Sequence, residues 1–238
     1  MVFNSYEFIF AFLPIVFFVY FYLNKQNQTA LSKYWLFASS LFFYSWWNII
    51  YLPLILVSII ANYFIGIRLR DSLNYCGGRR KALLIFGLAF NLSLLGYFKY
   101  TDFFITGINF AVGTEFNLLH LALPLGISFF TFQQITFLID AYNGEIEKYD
   151  FLSFAVFVTF FPQLIAGPIV RCQKIIPQLK AGMLGKFSSE AFWTGLCLFS
   201  IGLFKKACLA DGIRPLAESI FTASGSGTIL SIAEAWVG

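Results

Sequence analysis

Two polar stretches in a strongly apolar chain hold the side chains best suited to chemistry. The first, FFPQLIAGPIVR (Phe160 to Arg171), combines two prolines and a glycine with Gln163 and a terminal arginine. The second, LPLGISFFTFQQITFLIDAY (Leu123 to Tyr142), carries the adjacent glutamines Gln133 and Gln134. Amides and a guanidinium bind and orient polar or anionic groups, but they are not nucleophiles or proton acceptors at neutral pH. The two stretches therefore predict a polar cavity without a visible catalytic group.

The composition places these residues in a membrane. The 238 residues are 59% hydrophobic and 12% charged, and the mean hydropathy is +0.76. Soluble domains carry roughly 25% charged residues, and a soluble globule of this length could not hide so much apolar surface. Only helices and closed barrels span bilayers. Long apolar runs predict an all-α, polytopic transmembrane bundle.

The charge pattern sets an expected orientation. The loop from Arg68 to Lys81 contains five Lys or Arg and one Asp, which the positive-inside rule assigns to the cytoplasm. Counting back three crossings puts the N-terminus outside. The run 82–98 then crosses outward, and 101–113 is predicted as a separate half-helix or interfacial segment. The net charge of +4 fits membrane orientation better than nucleic-acid binding.

Parity of crossings points to a break at 160–171. If 151–170 crossed the bilayer fully, the basic loop that begins at Arg171 would lie outside. A re-entrant or broken helix that dips into the membrane and returns avoids this conflict. Non-helical backbone at membrane depth is tolerated only where protein or a watery cavity covers it, so the segment is predicted to line a cavity. The residues that would break the helix are Pro162, Gly167 and Pro168.

Other polar residues in the spans have structural and functional readings. Asn62 and Asn91 are each expected to join helices by a hydrogen bond. Gln133 and Gln134 point about 100° apart on a helix, so one is expected to join helices while the other faces a cavity. Arg171 either snorkels to the interface or holds an anionic group such as phosphate.

The remaining candidates are basic or isolated. Lys205 and Lys206 are either cytoplasmic anchors or contacts for an anionic carrier. His120, the single histidine, has no Ser, Cys or acid at motif spacing and is expected to be structural or exposed. The four cysteines are scattered without a CxxC pair, so no metal site and no bound cofactor are predicted.

Four sequence stretches resemble the membrane-bound O-acyltransferase (MBOAT) family. LPLGISFFTFQQITFLIDAYNGE, from Leu123 to Glu145, is followed by FFPQLIAGPIVR, as in the bacterial branch of alginate O-acetyltransferases and teichoic-acid D-alanyl transfer proteins. GLFKKACLADGI, from Gly202 to Ile213, is similar to a further stretch of that branch. The opening MVFNSYEFIFAFLPIVFFVYF is similar to the first helix of the alginate type.

The resemblance implies a helical bundle with a tunnel in the bacterial inner membrane. It implies transfer of an acetyl or similar acyl group from a cytoplasmic thioester donor, acyl-CoA or an acyl carrier protein. The acceptor would be a hydroxyl of a cell-envelope or exported polysaccharide such as alginate, with a periplasmic or extracellular acyl-handling partner. The family's histidine is expected beyond Gly238. Residues 1–238 are thus predicted to be one membrane domain, the N-terminal part of such an enzyme, inactive by itself.

Two other functions remain open from the residues alone. A transporter or flippase also uses broken helices and polar groups at mid-membrane, but no matching pair of broken segments is visible in two halves of the chain. A non-catalytic subunit of a polysaccharide-modification complex is the other alternative. Covalent label transfer to a polysaccharide would favour the enzyme, and flux without covalent change would favour the transporter.

Overall fold

The computed structural model describes residues 1–72, 77–147, 149–165, 167, 170–179, 187–227 and 231–237. The structure is 82% helical, and no strand occurs among these residues, which confirms the predicted all-α class. Pro168, one of the three predicted helix breakers, lies outside the described residues, as do residues 73–76 of the predicted cytoplasmic loop.

The helices follow one another with short connections. Their bounds are α1 Leu13–Lys25, α2 Thr29–Trp47, α3 Leu52–Asp71, α4 Gly77–Val112, α5 Ile127–Asn143, α6 Phe151–Thr159, α7 Phe161–Leu164, α8 Cys172–Ile175, α9 Ser189–Phe204, α10 Asp211–Gly225 and α11 Ile232–Val237. Short 3₁₀ or π turns cover Glu7–Phe12, Ile49–Tyr51, Ile176–Leu179 and Lys205–Ala210.

Three helical stretches in the described part of the chain are long and apolar enough to cross a bilayer: Glu7–Lys25, Ile49–Asp71 and Gly78–Val112. Each exceeds the length of about 20 residues that the hydrocarbon core requires or comes close to it. Few of their large apolar side chains are buried in the bundle, as expected for surfaces that face lipid. The chain is a multi-pass membrane protein.

The sequence prediction for 82–113 was wrong in one respect. The expected crossing at 82–98 and the separate segment at 101–113 form one continuous helix, α4, of 36 residues. Lys99 and Thr101, which suggested a boundary, are helical. Polar residues on one face of a long helix do not interrupt its backbone hydrogen bonds, so their appearance in the sequence did not mark an end.

The chain divides into two compact units. The larger unit, Ile15–Lys186, contains α2 to α8, with α5 packed against α3 and α4, and α6 packed against α2. On α3 and α5 the buried positions recur every three or four residues, so each helix presents one face to its neighbours. The core of this unit is mainly aromatic and aliphatic; fully buried members include Tyr44, Phe130, Phe154 and Phe157.

The second unit comprises Met1–Pro14 and Phe187–Gly238. In it, α9 begins at Ser188, whose side chain accepts a hydrogen bond from the backbone N–H of Ala191. The helix passes through the π turn Lys205–Ala210 into α10, where Arg214 and Glu218 form an ion pair four residues apart.

The larger unit contains a helix interruption after α6. Helix α6 ends at Thr159, Phe160 has φ −51° and ψ 106°, and the short turn α7 begins at Phe161 with Pro162 in its first positions. Leu164, the last residue of α7, packs against the start of α5: a Cβ added to Gly126 would overlap the carbonyl oxygen of Leu164. The interruption and the N-terminus of α5 are therefore in direct backbone contact.

Gly126 is expected to tolerate no side chain. It has φ +66° and abuts the Leu164 carbonyl, so Gly126→Ala combines a left-handed strain of about 1–3 kcal/mol with a backbone clash. The measurement is the thermal unfolding midpoint of detergent-purified protein, which should fall. Gly96 is the matched control because a Cβ there meets nothing within 4 Å in helix α4. Gly96→Ala should be neutral or stabilising by up to about 1 kcal/mol, and equal effects of the two substitutions would contradict the packing.

Candidate functional site

A buried hydrogen-bond network joins three helices, α3, α4 and α5. Gln134 of α5 accepts hydrogen bonds at its Oε1 from the Ser58 hydroxyl and the Asn62 amide of α3, each at 2.6 Å. Asn91 of α4 donates to Asn62 Oδ1 at 2.6 Å and also to the Gly87 carbonyl at 2.8 Å. All four side chains are buried. The two asparagines thus join helices as predicted, but they do so through each other.

Both adjacent glutamines are buried. Gln134 belongs to the network, although its Nε2 has no hydrogen-bond partner among the described residues. Gln133 is 2% exposed, and its Oε1 also has no partner in the described part of the chain. Because buried polar atoms are almost always paired, a water, a ligand or a residue outside the described part would complete each of these two atoms. That one glutamine faces a cavity stays a prediction.

Two hydroxyl groups share this condition and were missed from the sequence. Tyr44 and Thr131 are fully buried, and their oxygens have no partner among the described residues. Tyr44 lies in the same apolar cluster as Ile127 and Leu164, while Thr131 lies one turn beyond Ile127 on the same face of α5. Tyrosine and threonine are common in spans, so only burial without a partner distinguishes these two.

Gln163 stabilises the helix interruption. In an unbroken helix the Phe161 N–H would donate to the Phe157 carbonyl. Here the Phe161 N–H instead points to the hydroxyl of Ser40 on α2 at 3.4 Å, and Gln163 Nε2 donates to the Phe157 carbonyl at 3.0 Å. A side chain of the motif thus replaces the lost backbone bond. Pro162 and Gly167 are exposed.

Arg171 lies at the other end of the motif, among carboxylates. Its Nη1 is 4.0 Å from Asp140 Oδ1, in the last turn of α5, and 3.7 Å from Glu145 Oε2. The arginine side chain is 60% exposed, whereas that of Asp140 is 5% exposed. The adjacent Cys172 is buried, and burial raises the pKa of its thiol to about 12. Arg171 therefore links the end of the stretch 160–171 to the C-terminal end of α5.

Both flanks of the interrupted segment meet the same end of the bundle. Before it, Asp150 lies 3.6 Å from Lys33 Nζ in the first turns of α2, and it caps α6 by accepting from the Ser153 N–H. After it, Arg171 contacts Asp140 and Glu145. Residue 150 follows residue 145 by one short loop, so the two flanks lie near the C-terminal end of α5. Leu164, between them, reaches the N-terminal end of α5 at Gly126.

The other sequence candidates are not part of this group. Lys205 and Lys206 belong to the second unit, where both are exposed in the π turn and Lys206 pairs with Asp211. His120 has φ +48°, and its backbone N–H donates to the Asp102 carboxylate at 3.0 Å. His120 is exposed, in line with the expectation for this residue.

Known proteins resemble the whole length of the chain. It is 41% identical to the peptidoglycan O-acetyltransferase of Helicobacter pylori, over 100% of the chain and 49% of that protein. It is 34% and 35% identical to probable alginate O-acetylases of Pseudomonas aeruginosa and Azotobacter vinelandii, again over 100% of the chain and over 44% and 46% of those proteins. The chain thus spans about half the length of these curated relatives. No protein-family model and no solved structure matches it.

These relatives are MBOAT proteins, so the resemblance predicted from the two motifs is confirmed. The comparison extends over regions that the quoted stretches do not cover, including α2 to α4. The relatives are named for two different acetylated polymers, peptidoglycan and alginate.

The paired asparagines are expected to be energetically coupled. Asn91→Ala would leave Asn62 Oδ1 buried without a donor, at a cost of about 1–3 kcal/mol. Asn62→Ala should cost a similar amount, but the double variant should cost less than the sum by about 0.5–2 kcal/mol. The measurement is the free energy of unfolding in mixed micelles for the two single variants and the double variant. Additive effects would show that the two amides do not depend on each other.

Asp150 is expected to make stability depend on pH below neutrality. Burial pushes its pKa up, but hydrogen bonds from Ser153 and the charge of Lys33 outweigh this and hold the pKa of Asp150 below its ordinary value of 3.8. A lowered folded-state pKa contributes stability above the ordinary pKa, and this contribution is lost as pH falls through the folded-state pKa.

The variant Asp150→Asn should therefore lose stability at neutral pH and show a shallower decline between about pH 5 and pH 3. Unfolding midpoints across this range test the effect. Ser153→Ala removes the hydroxyl donor to the same carboxylate but keeps the backbone N–H donor, so it should weaken the decline in part. An unchanged slope in both variants would contradict the assignment.

Proposed function

We propose, for a chain homologous along its whole length to O-acetyltransferases of the MBOAT family, that it forms one half of a membrane O-acyltransferase that acetylates a polysaccharide. The observation that carries the proposal is the similarity, along the whole of this chain, to relatives named for the acetylation of peptidoglycan and of alginate. These relatives have acetyl transfer in common, whereas their acceptors differ. We further propose that the complete protein lies in a bacterial inner membrane with the N-terminus of this chain outside.

The proposed orientation rests on the basic end of the bundle. The corner between α3 and α4 carries Arg68, Arg70, Arg79, Arg80 and Lys81 against Asp71. Short loops rich in Lys and Arg remain in the cytoplasm. The same end of the bundle holds Lys33 at Asp150 and Arg171 at Asp140. The thioester donor, acyl-CoA or an acyl carrier protein, therefore approaches this end, while the polysaccharide and an acyl-handling partner are on the opposite side.

The proposed reaction is acyl transfer from sulfur to oxygen. A base takes the proton of the acceptor hydroxyl, the oxygen attacks the thioester carbonyl, and the carbon–sulfur bond breaks to release the thiol. The residues of this chain would supply binding and orientation, and the family resemblance assigns the base to a histidine outside residues 1–238. A positioned pair of reactants gains rate because little entropy is lost in the reaction step.

We propose that the interrupted segment 160–171 is re-entrant and lines the acyl path. Support comes from its two flanks, which meet the same end of α5, and from Leu164, which reaches the opposite end of α5. Gly126 and Asp140 are 14 residues apart on that helix, or about 21 Å. Pro162, Gln163, Gly167 and Pro168 would border the path, with Arg171 at its cytoplasmic mouth.

The unpartnered atoms of Gln133, Gln134, Thr131 and Tyr44 are proposed as the polar contacts of this path. Each is buried, and each lacks a partner among the described residues. A thioester and a sugar hydroxyl offer both acceptors and donors to such groups. Lys205 and Lys206 remain proposed contacts for the anionic donor, on the strength of their exposure alone.

Thr131→Val is expected to lower activity without lowering stability. The substitution removes a buried hydroxyl that has no partner in the described part of the protein, so unfolding should be unchanged or up to about 1 kcal/mol less favourable. If the hydroxyl contacts substrate or an ordered water, kcat should fall about tenfold or more, which is about 1.4 kcal/mol in the barrier.

Thr136→Val is the matched control on the same helix. The Thr136 hydroxyl donates to the Gln133 carbonyl within its own helix, so acetyl transfer should be nearly unchanged. The assay follows transfer of labelled acetyl groups to polysaccharide by the complete protein in membranes. Equal activities of the two variants would remove Thr131 from the path, and flux of acyl donor without covalent transfer would overturn the enzyme assignment itself.

A further inference from the structure

Helix α4 is too long for an upright crossing. Its 36 residues rise about 54 Å, whereas the hydrocarbon core measures about 30 Å and the whole bilayer about 40–45 Å. The basic residues Arg79 to Lys81 start the helix, and Tyr97, Lys99 and Tyr100 follow about 30 Å later, where aromatic and basic residues mark an interface. The last three turns, from Thr101, extend beyond that level.

The chain after α4 folds back along these three turns. Asp102 accepts hydrogen bonds from the backbone N–H groups of Leu119 at 2.8 Å and His120 at 3.0 Å. Asn109 accepts from the Phe116 N–H and donates to the Phe116 carbonyl, each at 2.9 Å. We call residues 101–123 the Asp102 hairpin. Two side chains of the helix form hydrogen bonds with backbone groups of the non-helical segment that follows it. Backbone groups need such partners where water is scarce.

The other surfaces of the hairpin are apolar and open. Phe110 is 93% exposed, the highest value in this group. The further exposed large apolar residues are Phe103, Phe104, Ile108, Val112, Phe116, Leu118, Leu119 and Leu123. This surface continues the lipid-facing side of α4, which includes Phe86, Leu92 and Tyr97. A water-exposed extension would not be expected to present so many aromatic rings.

We propose that the Asp102 hairpin lies in the interface between headgroups and acyl chains at the end of the bundle opposite Arg79 to Lys81, with its phenylalanines in lipid. A tilt of about 35° would fit all of α4 within the bilayer, inside the observed range for transmembrane helices. The charged groups of the hairpin are Asp102 and Glu115, with no Lys or Arg. Zwitterionic phospholipid is therefore the partner, bound by apolar contact rather than by charge.

The hairpin is anchored to the site. Tyr51, in the turn between α2 and α3, donates a hydrogen bond to the Ala122 carbonyl. Four residues later Gly126 contacts Leu164 at the helix interruption. Lipid that fixes the depth of the hairpin in the bilayer would thus also fix, through these contacts, the depth of the helix interruption. This inference depends on membrane insertion and not on acyl transfer, so it can fail without the proposed function failing.

The test is depth measurement by spin labelling. The protein, with its native cysteines replaced by serine, is labelled with a nitroxide at Phe110→Cys or Phe104→Cys and reconstituted in phosphatidylcholine vesicles. Collision rates with apolar oxygen and with a water-soluble nickel chelate give the depth of each label. Labels at both positions should collide several-fold more with oxygen than with the chelate. Glu115→Cys, at the polar tip, should show the reverse.

Added anionic lipid should leave both ratios unchanged because the hairpin has no Lys or Arg. Strong collisions of the Phe110 label with the nickel chelate would show that the hairpin projects into water. Protection of the labels from both reagents would show that protein covers the surface instead. Either result overturns the proposal, and two labelled positions guard against a local effect of one substitution.

Discussion

A polar group buried in lipid must find its hydrogen-bond partner within the protein, and this constraint organises the larger unit. Three helices are joined because Ser58, Asn62, Asn91 and Gln134 satisfy one another where water cannot. The same constraint governs backbone. Where α6 stops, Ser40 receives the Phe161 N–H and Gln163 supplies the donor for the Phe157 carbonyl. Where α4 ends, Asp102 and Asn109 accept hydrogen bonds from the backbone of the segment that folds back. In both irregular segments, side chains of the segment or of an adjacent helix thus form the hydrogen bonds that the backbone lacks.

The exceptions to this constraint are informative because they are few and fall on neighbouring elements. Most buried polar atoms are paired, yet among the described residues the side-chain oxygens of Tyr44, Thr131 and Gln133, Gln134 Nε2, Arg80 Nε and Asp140 Oδ2 are not. Four of these residues belong to α5, whose first residue follows the glycine that touches the interruption. An unpaired buried atom costs about 1–3 kcal/mol, which a sequence would not be expected to keep without use. The cost is recovered if a water or a reacting group completes the bonds.

The sequence alone predicted the elements that depend on local chemistry. The apolar runs sufficed to predict the helical class, and the isolated amides of Asn62 and Asn91 sufficed to predict that these residues join helices. It could not predict that these two amides pair, because 29 residues separate them and only packing sets which helix faces meet. It could not identify Tyr44 or Thr131, because what distinguishes them is the lack of a partner among the described residues of the folded chain. It placed a false boundary within α4 near Lys99 and Thr101, since polar residues on one face of a long helix resemble the end of a span in the sequence.

The charges around Arg171 affect how well an anionic group could bind there. Arg171 faces Asp140 and Glu145, so the three side chains together carry a net charge of −1 when ionised. A phosphate brought there would meet two carboxylates before it gained the guanidinium, and like charges at close range oppose binding. The corner between α3 and α4 has five basic residues against one acid and presents the opposite field. In the proposed enzyme an anionic donor would therefore fit that corner better, while Arg171 would hold residue 171 against the end of α5 through Asp140 and Glu145. Donor binding and path geometry would then depend on different cations of the same membrane face.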